Sequence, residues 1–348
     1  MNKNYLIYYM QTVGIILVVL GHSFYQNMFN PLVHWIYAFH MPLFFLISGY
    51  LLHYTARRPL HQVSMWGWNG FIMKKAYRLL LPYALISTLF FIPKIYLNQL
   101  VARPVDASWQ GYADMLLFPY HNIIDSFWFL PTLFLIYVVA MSLIKLKHGL
   151  LRKHRIHPLL VLLPLVVVNI YIPTDKSSLL NLNGVAHYML YFTAGYYFCR
   201  YQVEKVLESH AWWIAPFTLI ISLLPTHSTL LISHSTFHTP HSTFLAFNGI
   251  LMTISFGQLY LRYRLTFLNH LFGANYTIYL LSFFPQFVAN QLLLHFVKLP
   301  WQATTLLAFV TGLYIPYYIY RWMQCHPKNP LAQLLTFITG QRSFQTKA

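Results

Sequence analysis

The feature that most constrains this 348-residue chain is a mostly apolar run, near twenty residues long, that recurs from end to end. A hydrocarbon core about 30 Å thick takes about 20 such residues to cross as a helix. Ten stretches approach that length, near 5–24, 33–54, 79–98, 126–145, 158–173, 184–200, 211–226, 243–261, 273–296 and 301–320. Only 8% of the residues are charged and 57% are hydrophobic, whereas soluble domains run near 25% charged. The expected fold is therefore an all-α, polytopic membrane helix bundle of about ten transmembrane helices. One membrane domain over 1–325 and a short cytosolic tail over 326–348 are expected, since no long polar stretch marks off a second domain.

Net charge of +17 does not point to nucleic acid. The bases form short clusters between apolar runs rather than one stripe. Arg57, Arg58, Lys74, Lys75 and Arg78 fall in one interval, and Lys145, Lys147, Arg152, Lys153 and Arg155 in a later one. Arg200, Lys205, Arg262, Arg264 and Arg321 follow later runs, while the alternate intervals carry Asp106, Asp114, Asp125 and Asp175. Such alternation is what the positive-inside rule produces, and it puts both termini in the cytosol. Cys199 and Cys325 are far apart and fit neither a redox nor a zinc spacing. The first run lacks a small-residue cleavage site and reads as a retained helix. Three His-Ser-Thr triplets, at His227, His234 and His241, read as a polar loop; no carboxylate or cysteine accompanies them, and no metal is expected.

Two histidines lie inside the first two runs. His22 ends the stretch Val13–His22, and His40 interrupts Trp35–Phe45. Ionisable groups are costly in hydrocarbon and are commonly kept there for function. An imidazole titrating near ~6.5 can take a hydroxyl proton and return it, or attack an acyl group itself; it can equally serve as a hydrogen-bonding group at a helix end. Gln11 precedes His22 by about three helical turns, so both face nearly one direction, roughly 16 Å apart. Pro42 breaks the helical hydrogen bonding beside His40, and Ser48-Gly49 offers a small surface for a close helix contact. There is no Gly-x-Ser-x-Gly elbow, P-loop, His-Glu-x-x-His or dinucleotide fingerprint.

The blocks Gly21-His22-Ser23 and Phe39-His40-Met41-Pro42-Leu43-Phe44-Phe45-Leu46-Ile47-Ser48-Gly49-Tyr50-Leu51 resemble the opening of the acyltransferase-3 family. These are multi-pass membrane O-acyltransferases that acetylate sugars of bacterial surface polysaccharides. Three later blocks resemble it too: Lys74-Lys75-Ala76-Tyr77-Arg78 leading into Leu81-Pro82-Tyr83, Ser126-Phe127-Trp128-Phe129-Leu130-Pro131, and Gly273-Ala274-Asn275-Tyr276-Thr277-Ile278-Tyr279-Leu280-Leu281-Ser282. The resemblance implies His22 as the catalytic group, with His40 supporting it or contacting the acyl donor. Gln11 stands where the family carries Arg or Lys, and Ser282 where many members carry His. Arg78 is implied as a contact for the donor's phosphates, which arginine pairs with well. Asp125, Trp128, Asn275, Tyr279 and Gln286 are substrate-side candidates. Acetyl-CoA is implied as co-substrate with no bound cofactor, a glycan as acceptor, lipid as the surroundings, and the cell membrane as the location. Two rivals are a glycan or lipid transporter or flippase, and a catalytically silent relative in an envelope complex.

Overall fold

The computed structural model describes residues 4–24, 30–96, 105–150, 156–172, 178–224, 240–291 and 297–341. Among them are thirteen α-helices and no strand. They are α1 (Tyr5–Ser23), α2 (Pro31–Tyr54), α3 (Phe71–Tyr96), α4 (Trp109–Leu117), α5 (Phe129–Leu150), α6 (Pro158–Tyr171), α7 (Leu182–Arg200), α8 (Val203–Leu223), α9 (Pro240–Arg262), α10 (Asn275–Leu281), α11 (Phe283–Gln291), α12 (Trp301–Cys325) and α13 (Pro330–Ile338). The protein is a polytopic helical bundle. Helices satisfy every backbone polar group internally, which is why apolar runs take this form in lipid.

Among the described residues the ten apolar runs fall on helical segments, and seven helices are long and apolar enough to cross a membrane. These are α1, α2, α3, α5 with the turn before it, α8, α9 and α12. Helix α6 has 14 residues, fewer than a crossing requires. The 19-residue α7 lies outside the seven. The ninth run is two short helices, α10 and α11, meeting at Ser282.

Some boundaries differ from expectation for local reasons. Helix α3 starts at Phe71 rather than near 79, carrying Lys74, Lys75 and Arg78 on helical backbone. Lys75 is accommodated by the ring of Tyr137, whose centroid lies 3.6 Å from its Nζ, a cation–π contact. Helix α4 and helix α13 were not expected. Ser108 caps the first, its hydroxyl accepting from the Gly111 amide. Asn329, followed by Pro330, caps the second. The histidine triplets at His227 and His234 lie outside the described residues.

The chain forms two compact units, Met1–Tyr54 with Tyr191–Cys325, and Thr55–Leu190 with His326–Ala348. The boundary falls within α7.

In the first unit α1 packs on α2, α9, α10 and α12, while α8 and α2 pack on α9 and α11 on α12. Two pairs of glycines let α2 approach α1 and α7 closely. On α1, Gly14 and Gly21 are seven residues apart and therefore on one face. A Cβ on Gly14 would come 2.9 Å from Phe44, and one on Gly21 2.6 Å from Tyr37. Phe44 and Tyr37 are also seven apart, so α2 runs antiparallel to α1 with two aromatic rings seated on two bare Cα atoms. Gly49 of α2 lies against the backbone carbonyl of Phe192, and Gly195 of α7 against that of Leu46, each closer than any Cβ permits. That reciprocal crossing is the small surface expected at Gly49.

In the second unit α3 packs on α5, and α13 on α3. The rings of Tyr77 and Phe337 lie 6.2 Å apart. Tyr83 donates its hydroxyl toward the Met115 and Leu116 carbonyls, 3.0 Å from each. Asn122 donates to Ser87 Oγ at 2.8 Å and accepts from the Ile124 amide at 3.0 Å, so these buried polar groups are matched within the unit.

Candidate functional site

Helix α1 places the site, because each of its faces meets a different neighbour. With about 100° between successive residues, Gly14 and Gly21 face α2. Thr12, Val19 and Ser23 form nearly the opposite face. Thr12 Oγ1 donates to Asn275 Oδ1 at 3.2 Å, while Gln286 Nε2 donates to the Val19 carbonyl at 2.7 Å and lies 2.8 Å from Ser23 Oγ. Eleven residues separate Thr12 from Ser23, and eleven separate Asn275 from Gln286. Helices α10 and α11 thus run alongside α1 in the same direction. Between these two faces lies the stripe Gln11, Ile15, Val18 and His22. Its middle is closed, with Ile15 and Val18 buried; its polar ends, Gln11 and His22, are half-buried.

His22 stands in the last turn of α1. Its ring centroid is 6.0 Å from that of Tyr37, and Tyr37 is 5.0 Å from His40. The three rings make a file from α1 across to α2. His40 is 5% exposed, and its Nδ1 lies 2.8 Å from the Ile36 carbonyl. A carbonyl oxygen only accepts, so Nδ1 carries the proton and, in the neutral ring, Nε2 keeps the lone pair. Pro42, two residues on within α2, donates no backbone hydrogen bond. The structure joins His22 and His40 through Tyr37, sets Gln286 against the last turns of α1 at Val19 and Ser23, and sets Asn275 ten residues below His22 at Thr12, with Tyr279 buried on the α10 face that also carries Asn275. Gln286 spends its amide hydrogens on α1, which makes it a helix–helix contact.

Arg78, Asp125 and Trp128 belong to the second unit. Arg78 is exposed on α3, and Asp125 is exposed at the head of the short 3-10 turn Asp125–Trp128. Trp128 is stacked with two tyrosines, Tyr120 at 5.2 Å and Tyr188 at 5.3 Å. Burial pushes the Tyr120 phenol above its ordinary range, with the Asn181 amide beside it acting the other way. Asn181 is itself buried, left-handed at φ 55, and donates to Thr132 Oγ1 at 2.7 Å.

Sequence reasoning passed over three positions. Tyr37 is one aromatic residue in an aromatic run, and only its seven-residue spacing from Phe44, matched to Gly14 and Gly21, could have singled it out. His187 is 2% exposed and bound reciprocally to Asn169: its Nδ1 reaches the Asn169 carbonyl at 3.0 Å, and the Asn169 amide donates to the His187 carbonyl at 2.9 Å. That arrangement staples α6 to α7. Glu204 accepts from the Tyr50 hydroxyl at 3.0 Å, and Tyr50 from Asn4 at 2.9 Å. Among the described residues, no group of three or more His, Cys, Asp or Glu side chains could hold a metal ion.

No curated protein and no solved structure matched the chain. The acyltransferase-3 family model, described as an acyltransferase domain, matches residues 4–321. That span includes α1 through α11 and most of α12, and with them His22, His40 and the paired helices α10 and α11. The chain belongs to the acyltransferase-3 family of membrane acyltransferases.

Proposed function

We propose that the protein is an integral membrane O-acetyltransferase. It takes acetyl from acetyl-CoA and delivers it to a hydroxyl of a cell-surface or exported glycan, or of that glycan's lipid-linked precursor. The observation that carries this reading is the position of His22: a half-buried imidazole in the last turn of an apolar helix, in file with Tyr37 and the buried His40.

His22 acts as general base. As the acceptor hydroxyl oxygen attacks the thioester carbonyl, the imidazole takes the hydroxyl proton. The tetrahedral intermediate collapses with cleavage of the C–S bond, and the leaving thiolate takes that proton back as free coenzyme A. Formation of an acyl-imidazole on His22 is the covalent variant of the same exchange. Tyr37 fixes the setting of the His22 ring, and the Ile36 carbonyl fixes the tautomer of His40. Gln11, at the other end of the stripe, offers hydrogen bonds where a cation is usual in the family, so charge pairing with the donor falls to other groups, of which Arg78 is the candidate. Asp125 is the candidate on the acceptor side. The basic intervals lie in the cytosol, where acetyl-CoA is made, and the membrane is the cell membrane.

The test is donor consumption tied to product. Membranes carrying the protein should release free thiol from acetyl-CoA, and mass spectrometry of surface glycans should show ester-linked acetyl groups absent from cells lacking it. Donor binding without thiol release or acetylated glycan would identify a silent relative. Glycan movement across the bilayer with no acetyl transfer would identify a transporter.

A further inference from the structure

Helix α13 has its two sides reversed from those of a helix in water. It packs on α3, and the residues it buries are small or polar: Ala332, Thr336 and, just past its end, Thr339. Both threonine hydroxyls turn back to carbonyls of α13 itself, Thr336 to Ala332 at 2.7 Å and Thr339 to Leu335 at 2.8 Å. Leu331, Leu334, Leu335 and Ile338 recur at the three- and four-residue spacing of a single stripe, and that stripe faces outward. Leu331 is 55% exposed and Leu334 51%, with Leu335 and Ile338 half-buried and Phe337 at its flank 49% exposed. A helix bathed in water turns its leucines inward. Leucines turned outward as a patch mark a surface that something apolar covers.

The place of α13 along α3 says what covers it. The Phe337 ring lies 6.2 Å from that of Tyr77. Gly340, at φ 59, closes the helix so near α3 that an added Cβ would meet the Tyr77 carbonyl at 2.5 Å and the Arg78 Cα at 3.2 Å. Tyr77 and Arg78 lie in the basic first turns of a helix long and apolar enough to cross a membrane, so they mark where α3 leaves the hydrocarbon. The stripe therefore stands at the boundary of headgroups and acyl chains, the layer in which amphipathic helices lie flat. Bases flank it. Lys328, exposed, comes one residue before the Asn329 cap, and Lys74, also exposed, is one turn from Arg78 at the other end. The sequence has no Asp or Glu from 55 to 105 or from 326 to 348, so neither stretch supplies these lysines with a carboxylate. A soluble anion would answer the charge and leave the leucines in water; an anionic phospholipid answers both.

We propose that α13 is an in-plane helix of the leaflet on the basic side, with Leu331, Leu334, Leu335 and Ile338 among the acyl chains and Lys74 and Lys328 on the phosphates of anionic lipids. The chain after the last long apolar helix is then part of the membrane surface rather than a free tail, and it ties the start of α3 to that leaflet.

The experiment uses the full-length protein, one copy per nanodisc, in phosphatidylcholine with phosphatidylglycerol. Spin labels are placed by Leu334→Cys or Gln333→Cys, each with Cys325→Ser; Cys199 is buried. Oxygen, relative to a water-soluble nickel chelate, should reach the label at 334 several-fold more readily than the label at 333. Leu331→Cys should repeat the result and serves if the first variant does not fold. A label at 334 as open to the chelate as that at 333, or closed to both reagents as a protein surface would close it, would overturn the in-plane assignment. In native mass spectrometry Lys74→Gln/Lys328→Gln should retain several-fold fewer phosphatidylglycerol molecules than the wild type, whose retention inorganic phosphate should leave unchanged. Equal retention by the variant, or displacement of the lipid by phosphate, would overturn the headgroup assignment.

Discussion

Tyr37 sits over the bare Cα of Gly21, where a methyl group would come within 2.6 Å of the phenol ring. The adjacent residue on α1 is His22, so the contact that sets the two helices also sets the environment of the imidazole. Gly21→Ala should push Tyr37 aside and disturb the file of rings through to His40. A misplacement of about 1 Å can cost about a hundredfold in rate, so acetyl transfer should fall by at least tenfold at equal folded abundance. Gly14→Ala overpacks against Phe44, with a 2.9 Å approach, two turns away from His22. It should lower stability and keep most of the activity. Parallel transfer assays of the two variants, normalised to folded protein, check this; equal losses would detach Tyr37 from the site.

The α2–α7 crossing should be less forgiving. At Gly49 and Gly195 an added Cβ meets backbone, the Phe192 and Leu46 carbonyls, and no side-chain rotation relieves that. Overpacking costs about 1–3 kcal/mol where neighbours can adjust, and each alanine variant should reach the upper part of that range. Because both strain the same crossing, the double variant should cost less than the sum of the two. Thermal unfolding in detergent measures it.

Gln286→Leu removes two hydrogen bonds to α1. Interhelical hydrogen bonds in membranes average about 0.6 kcal/mol each, and Ser23 retains its own bond to the Val19 carbonyl at 2.7 Å. The variant should lose about 1 kcal/mol of stability and little activity. A loss of transfer far beyond the loss of folded protein would instead give Gln286 a substrate contact.

Most of the architecture was legible because apolar length has a direct physical meaning in a bilayer. Where the structure describes them, all ten runs fall on helical segments. What length does not convey is continuity: Phe283 to Gln291 reads as more of the same run, yet the helix divides at Ser282. The early start of α3 was hidden because Lys74 and Lys75 look like loop charges, and only the Tyr137 ring, more than sixty residues on, explains how one of them is held. The histidines of the site were legible because imidazoles are rare and costly in hydrocarbon. Tyr37 and the Thr12–Asn275 pair were not, because their meaning lies in partners distant in sequence. Trp128 carried a motif whose geometry only its flanking tyrosines reveal.

Outside the membrane-spanning helices, Asp106 gives a pH-dependent cap. It accepts from the Ser108 amide at 2.9 Å and from the Ser108 hydroxyl at 2.8 Å, and these bonds hold its carboxyl below the usual carboxylate range. A depressed folded-state value means the bonds contribute fully above the ordinary carboxylate pKa of ~3.9 and are lost as pH falls through the lower value. Amide protection over residues 108–112, measured as exchange relative to the intrinsic rate at each pH, should therefore be highest at neutral pH and fall under acid. In Asp106→Asn, whose side chain has no carboxyl proton to gain, the acid-dependent part should vanish.

The central claim is that His22 handles the proton of acyl transfer. Membranes holding equal amounts of folded wild-type and His22→Ala protein, supplied with acetyl-labelled coenzyme A, should differ completely: labelled ester on glycan with the wild type, background with the variant. Label incorporated by His22→Ala at a rate near that of the wild type would contradict the account.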